Sequence, residues 1–369
     1  MEAFKYGCVV RGANFCARPK LAQQLAGYIA AGQNLVIQGE RRIGKTSLVQ
    51  ETISSMRRWK AVSADFMGVR SVTDVCNRLA DALARFDEGE GIYRKTLSLL
   101  AHLRPVATVD AATGLPTITV DAVASRSPTS VNTVLDAIAH HVRNRKVCVV
   151  FDEFQDILDV PDGEQVLALM RARIQYLSDT SFIFLGSARN AMLSIFLSPK
   201  SPFYKSALVF DIDEIPDDDF FRFAARRFSI GTRKLPRDVF QHILEFVSRT
   251  SGDVQELCDA IWQVTEPGTT LSDEDIERGI QVVFARESSA YMTFSKPLTD
   301  IQLRVLRALA ILGGAHPLSG DFLREADVTT PTTIKRSLAA LAKSELIYDM
   351  NGEYKFVSPF FREWIRRRK

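Results

Sequence analysis

In the first half of the chain, two patterns of hydrophobic residues take turns along the sequence, one typical of strands and one typical of helices. Short apolar runs rich in β-branched residues are separated by stretches in which apolar residues recur every three or four positions, as on one face of a helix. The predicted strands are residues 34–39, 60–66, 146–154 and 181–189. The predicted helices are residues 21–33, 46–58, 72–103, 131–144 and 165–178. Strands that alternate with helices favour a parallel sheet, so an α/β fold is predicted.

One segment departs from this alternation. Within residues 108–122, two alternating runs flank the turn-forming sequence Thr113-Gly114-Leu115-Pro116. Two such runs around a glycine-containing turn indicate a β-hairpin. We therefore predict a hairpin inserted into the α/β unit.

After residue 212 the pattern becomes helical. Residues 213–290 contain a series of helical segments, and three further helices are predicted at 299–313, 319–327 and 331–346. Two short strands around Met350-Asn351-Gly352 and a basic helix follow. Three helices and a hairpin in this order are typical of a winged helix. The predicted domains are an α/β core at 1–212, a helical lid at 213–292 and a winged helix at 293–369.

Composition narrows the protein class only a little. The 369 residues are 46% hydrophobic and 25% charged, as in ordinary globular proteins, and the net charge is +3. This charge does not demand a polyanionic partner, although charge concentrated locally would suit one. No apolar run of about 18 residues predicts a membrane span, and the first residues lack a secretion signal. The five cysteines have no metal-ligand spacing, which indicates reduced thiols in a cytoplasmic protein.

The most specific motif lies between the first predicted strand and the helix after it. Gly39-x-x-x-x-Gly44-Lys45-Thr46 matches the phosphate-binding loop of nucleotide-binding proteins. Glycine allows close backbone approach, the lysine reaches the β- and γ-phosphates, and the threonine hydroxyl can bind Mg²⁺. The residues predicted to bind the nucleotide are Gly39, Glu40, Arg41, Arg42, Ile43, Gly44, Lys45, Thr46 and Ser47. For Arg42, a phosphate contact and a solvated side chain are equally compatible with the sequence.

Two acidic residues supply the second half of the predicted site. The buried strand at 146–154 delivers Asp152 and Glu153 near its carboxyl end, where ligands collect in open α/β sheets. Asp152 is predicted to hold Mg²⁺ together with Thr46. Glu153 is predicted to polarise the attacking water as a general base, which makes hydrolysis the favoured reaction.

The next predicted strand ends in small polar residues at the same edge of the sheet. Ser187, Arg189 and Asn190 are candidates to contact the γ-phosphate or the water, and we assign a catalytic role to Arg189. A helix cap at Ser187 and a solvated Arg189 form the structural alternative.

In these motifs the chain resembles the archaeal-type ATPases of the STAND class, within the AAA+ superfamily. The resemblance rests on "GERRIGKTSL", "VVFDEFQ", "FLGSARNAM" and "SPFYKSALVFDI" in this order. The lead-in "YGCVVRGANFCARPKLAQQL" also resembles that family and places Arg18 at the nucleotide. The lid motif "TSGDVQELCDAIW" lacks the proline and the second-sensor arginine expected there. Paired arginines in the loop are usual in this family.

The resemblance implies a regulatory switch that uses ATP and Mg²⁺. ATP would favour one arrangement of core, lid and winged helix, ADP would favour another, and the partner would be a protein or a second copy of the chain. The alternative is a DNA-associated AAA+ ATPase that binds DNA through the winged helix. The DNA-contacting candidates are Lys335, Arg336, Arg366, Arg367 and Arg368. A small-molecule kinase is disfavoured, because no acceptor pocket is evident.

Overall fold

The computed structural model describes residues 4–86, 90–111, 114–350 and 352–368, with only the backbone at 90–93. The chain divides into two compact units. One comprises Arg11–Asp213, and the other comprises Met1–Val10 together with Glu214–Lys369. The chain therefore passes between the units twice. The first ten residues group with the helical unit, whereas the predicted domain of residues 1–212 had placed them in the core.

A five-stranded parallel sheet forms the centre of the first unit, in the order β2-β5-β6-β1-β7. Its strands are β1 Leu35–Gln38, β2 Lys60–Asp65, β5 Val147–Asp152, β6 Phe182–Gly186 and β7 Leu208–Asp211. Four of them coincide with predicted strands, so the predicted α/β fold is confirmed. The edge strand β7 was not predicted, because Leu208 and Val209 are exposed and its pattern is not that of a buried strand.

Both faces of this sheet are buried at its three central strands, β5, β6 and β1. Alternate residues of β5 belong to different apolar clusters: Val149 and Phe151 to one, Cys148 and Val150 to the other. Helices cover the two faces, which explains the continuous apolar run in the sequence. The helices of this unit are α1 Pro19–Ala30, α2 Lys45–Ser55, α3 Val72–Phe86, α4 Glu90–Leu99, α5 Ser130–Val142, α6 Gly163–Ile174 and α7 Arg189–Phe196.

The segment between β2 and α5 is more broken than predicted. The single helical stretch expected at 72–103 consists of α3, α4 and a short 3₁₀ turn at Ala101–Leu103. An antiparallel pair then follows, formed by β3 Val106–Val109 and β4 Pro116–Thr119. The backbone amides of Ile118 and Val120 donate to side chains of α3, which attaches this hairpin to the helix. Thr113 of the predicted turn lies outside the described residues.

The second unit is helical except for one hairpin. Its helices are α8 Asp217–Ile230, α9 Arg237–Phe246, α10 Ser251–Val264, α11 Asp273–Ser295, α12 Asp300–Leu312, α13 Gly320–Glu325, α14 Pro331–Lys343 and α15 Pro359–Arg367. Strands β8 Ile347–Met350 and β9 Glu353–Phe356 pair antiparallel between α14 and α15. Helices α12–α14 followed by this hairpin form the predicted winged helix.

The last helix packs against the helices that precede the winged helix. The ring of Phe360 lies 5.7 Å from that of Phe246, and the ring of Phe361 lies 5.3 Å from that of Tyr291. At the other end of the chain, the Phe4 ring packs 5.0 Å from Phe228. Within the described ranges, no helix combines the length and apolar character that a bilayer crossing requires.

Candidate nucleotide site

The predicted phosphate loop connects β1 to α2. Gly44 adopts φ +91° as the residue preceding α2, a conformation that favours glycine. A Cβ at Gly39 would lie 3.2 Å from Cγ2 of Ile43, so a side chain there would crowd the loop. Arg42 is also left-handed, with φ +66°. The loop therefore has the strand-loop-helix context and the glycine requirements that its motif predicts.

Lys45 lies buried at the start of α2, with its side chain folded back over the loop. Its Nζ donates to the carbonyl oxygens of Gly39 and Glu40, at 3.0 Å each. Burial lowers the pKa of Lys45, and the nearby carboxylates of Glu153 and Asp152 oppose that shift. A phosphate at the loop would offer this ammonium group a charged acceptor in place of two neutral carbonyls.

Arg18 immediately precedes α1, and its side chain reaches the same loop. Its Nη2 donates to the carbonyl oxygen of Ile43 at 2.6 Å. Its Nε and Nη1 are buried and have no hydrogen-bond partner in the described part of the chain. Burial lowers the pKa of Arg18 to about 10, although Cys16 and Asp213 oppose that shift. Buried donors without acceptors are costly, so their presence beside the loop fits an acceptor-bearing ligand.

Thr46 and Asp152, the two predicted Mg²⁺ ligands, are hydrogen-bonded to each other. Thr46 Oγ1 donates to Asp152 Oδ2 at 2.6 Å, which joins the loop to the carboxyl end of β5. Burial raises the pKa of Asp152, and the hydrogen bond from Thr46 opposes that shift. A hydroxyl and a carboxylate side by side are the hard oxygen ligands that Mg²⁺ prefers. Groups of three or more His, Cys, Asp or Glu that could hold a metal are absent from the described residues.

Glu153 is held from two sides. Its Oε2 accepts hydrogen bonds from Ser187 Oγ at 2.8 Å and from Gln155 Nε2 at 2.6 Å. Its backbone is left-handed, with φ +45°. Ser187 was a sequence candidate, whereas Gln155 was missed. The only sequence signal for Gln155 was its position two residues after Glu153.

Other predicted residues occupy different surroundings. Arg41 is exposed and near enough to Lys45 to lower its pKa, and Ser47 is buried in α2. Arg189 is exposed at the first turn of α7, without a hydrogen bond or ion pair to another described residue. The structure thus brings Ser187 to Glu153, and the catalytic role of Arg189 stays a prediction.

The DNA candidates fall into two groups. Lys335 and Arg336 are exposed on α14. Arg366 and Arg367 instead pair with Glu363, and Arg367 also pairs with Glu277 of α11. The remaining candidate, Arg368, lies over the Trp364 ring. Ion pairs thus engage two of the three basic residues at the end of α15 that were predicted to meet DNA.

The chain is similar to known proteins in fold rather than in sequence. The model of a probable winged helix domain matches residues 289–367. The Walker-type ATPase PABY2304 of Pyrococcus abyssi aligns with a TM-score of 0.64 and 17% identity, over 96% of this chain and 97% of that one. The Aeropyrum pernix ORC2 protein, solved as ADPNP-ADP complexes, aligns with a TM-score of 0.52 and 13% identity, over 94% of this chain and 90% of that one. The Aeropyrum pernix ORC1 protein, solved in complex with DNA, aligns with a TM-score of 0.50 and 12% identity, over 95% and 91%.

A comparison with curated protein sequences finds no significant match. The structural likeness spans nearly the whole chain at low identity, so it establishes the fold. The chain has the fold of the Walker-type ATPase PABY2304, and a winged helix domain is matched at residues 289–367.

Proposed function

We propose that this protein binds ATP with Mg²⁺ at the loop between β1 and α2 and hydrolyses it. The hydrogen bond between Thr46 and Asp152 carries this proposal, because it joins the phosphate loop to the acidic pair at one edge of the sheet. The unpartnered donors of Arg18 and the buried ammonium of Lys45 add positive charge at the same place. These features favour a polyphosphate ligand over a neutral one.

Each residue of the site would have a separate role in binding or hydrolysis. Lys45 would contact the β- and γ-phosphates, while Thr46 and Asp152 would hold Mg²⁺. Mg²⁺, when bound, would neutralise charge on the phosphate oxygens. Glu153 would accept a proton from the attacking water, and Ser187 with Gln155 would orient its carboxylate through their hydrogen bonds. This role would require Oε1 to face the attacking water, because Oε2 already accepts the hydrogen bonds from Ser187 and Gln155.

Lys45→Ala tests the assignment of the site. We expect ATP affinity to fall at least tenfold, because a hydrogen bond to a charged group contributes about 1.5–3 kcal/mol. Titration calorimetry with Mg·ATP measures the change, and Lys20→Ala, an exposed lysine in α1, is the matched control. Unchanged affinity in a folded Lys45→Ala protein would overturn the site.

We further propose that the nucleotide state controls the arrangement of the two units. The support is that the chain passes between them only at residues 10–11 and 213–214. A fluorophore pair, one dye in each unit, should give a transfer efficiency that differs between Mg·ATP and Mg·ADP. The same efficiency in both nucleotide states would contradict a switch.

DNA binding through the winged helix is the second candidate. Its support is the exposure of Lys335 and Arg336 on α14, and the solved DNA complex of the ORC1 protein of similar fold. We expect Lys335→Gln with Arg336→Gln to lower the salt slope of duplex binding by about two, since each phosphate contact contributes about 0.9. A salt series of fluorescence anisotropy measures this slope. An unchanged slope would remove α14 from the interface.

A further inference from the structure

The edge of the sheet opposite the nucleotide loop is strongly basic. In a parallel sheet with helical connections, the segments that lead into the strands share one edge, away from the carboxyl ends. The segment leading into β2 reads Arg57-Arg58-Trp59-Lys60, and the segment leading into β5 reads Arg143-Asn144-Arg145-Lys146. They hold six basic residues and no acidic one, whereas the whole chain balances 47 basic against 44 acidic residues. We call residues 57–60 and 143–146 the basic edge.

The two segments are adjacent in space. Strands β2 and β5 are neighbours, with Lys60 in register with Val147. The backbone amide of Lys60 donates to the carbonyl oxygen of Lys146 at 2.9 Å. The two segments are therefore neighbours at one end of the sheet, and their six basic residues do not belong to two distant clusters.

Most of these charges are unpaired. Arg57, Arg58, Arg143, Arg145 and Lys146 are exposed, and none forms an ion pair with another described residue. The negative end of α5 favours a cation at Arg143, but it does not account for the other four. Several unneutralised cations together repel one another, so an external polyanion would stabilise them.

An exposed aromatic ring and a cleft lie beside this surface. The cleft has a volume of about 300 Å³, and its lining includes Tyr176, three basic residues (Arg143, Arg145 and Lys146) and one acidic residue (Asp179). Tyr176 leads towards β6, the other neighbour of β5, and is 79% exposed. Covering an exposed aromatic ring is favourable, and a nucleic-acid base can cover it by stacking on its face.

We propose that the basic edge and Tyr176 together bind single-stranded nucleic acid. The arginines and lysines would contact phosphates, and a base would stack on Tyr176. This combination of cations with an exposed aromatic ring favours a single strand over a duplex, whose bases are already stacked. The proposal uses neither the residues of the nucleotide loop nor the α14 candidates, so it stands without either.

Charge removal is the first test. Fluorescence anisotropy of the full chain with a labelled mixed-sequence DNA strand of about 20 nucleotides measures affinity across a salt series. In the variant Arg143→Gln, Arg145→Gln and Lys146→Gln, we expect affinity to fall at least tenfold and the salt slope to drop by about two, since each single-strand phosphate contact contributes about 0.7. Lys20→Gln with Arg94→Gln and Lys95→Gln removes the same charge from exposed helix positions and should change binding little. Equal losses in both variants would overturn the proposal.

The ring is tested separately. Tyr176→Ala should weaken single-strand binding about tenfold, while heparin, which has no bases, should bind both proteins equally. The thermal unfolding midpoint should stay unchanged, which verifies the fold. Binding by heparin or polyglutamate as tight as that of DNA, with no effect of Tyr176→Ala, would identify a docking surface for acidic proteins and overturn the proposal. Absence of DNA binding at low salt would also overturn it.

Discussion

Glu153 illustrates how the backbone prepares a side chain for chemistry. The residue follows the buried strand β5 in a left-handed conformation, which non-glycine residues adopt at a cost. Three hydrogen bonds to Oε2, one from Gln155 and two from Ser187, fix the carboxylate, so the strained backbone and the ordered side chain occur at the same residue. Such a combination is typical of functional sites.

Glu153→Gln separates binding from hydrolysis. We expect Mg·ATP affinity to be retained and the hydrolysis rate to fall about 100-fold or more, the usual contribution of a positioned general base. Calorimetry gives the affinity, and phosphate release gives the rate. The control is Glu164→Gln, an exposed carboxylate in the first turn of α6. Undiminished turnover would assign water activation to another group.

At the residue scale, the sequence predicted the parts of the site that are local in the chain. The loop from Gly39 to Thr46 is contiguous, and Asp152 and Glu153 follow a clear apolar run. Gln155 was missed because a glutamine near an acidic pair has no distinctive pattern. Its role depends on a hydrogen bond that only the fold defines.

At the scale of elements, the basic end of α15 forms ion pairs that its sequence did not suggest. Its basic end was predicted to meet DNA, yet Arg367 forms ion pairs with Glu363 and Glu277. The sequence could not show this, because Glu277 is 90 residues away from Arg367. The same helix buries Phe360, Phe361 and Ile365, so it anchors the winged helix within its unit.

This anchoring predicts a dependence of stability on pH. The hydrogen bond from Arg367 holds the pKa of Glu277 down at about 2, below the ordinary value. A depressed carboxyl pKa stabilises the fold above about pH 4.3, and this stabilisation is lost as the pH falls towards 2. Because Glu277 is partly exposed, we expect this interaction to contribute only about 1 kcal/mol to the free energy of unfolding.

The measurement is urea unfolding of the full chain between about pH 2 and 6, for the wild type and Glu277→Gln. The variant should be less stable at pH 6, and the difference should shrink as the pH falls. Glu274→Gln, an exposed carboxylate in the first turn of α11, is the control. A difference that is constant with pH would assign the effect to packing instead of charge.

At the scale of the whole molecule, the periodicity of the sequence predicted the fold class, because a doubly covered parallel sheet and a winged helix both have strong local patterns. The grouping of the first ten residues with Glu214–Lys369 was not predictable in this way. It depends on long-range contacts such as that between the rings of Phe4 and Phe228, and a single phenylalanine has no periodicity.

The division into two units predicts how the protein unfolds and where the ligand acts. Calorimetry of the full chain should show two thermal transitions, and Mg·ATP should raise only the one that belongs to Arg11–Asp213. At 100 times Kd the ligand contributes about 2.7 kcal/mol. For a unit of this size, that free energy corresponds to a rise in the transition temperature of about 5–10 °C.

Two variants act as controls. Lys45→Ala should abolish the shift, whereas Arg367→Gln should lower the other transition and leave the shift intact. A single transition that Mg·ATP moves as a whole would mean that the two units unfold together, and the nucleotide would then stabilise the helical unit as strongly as the unit that holds its own loop.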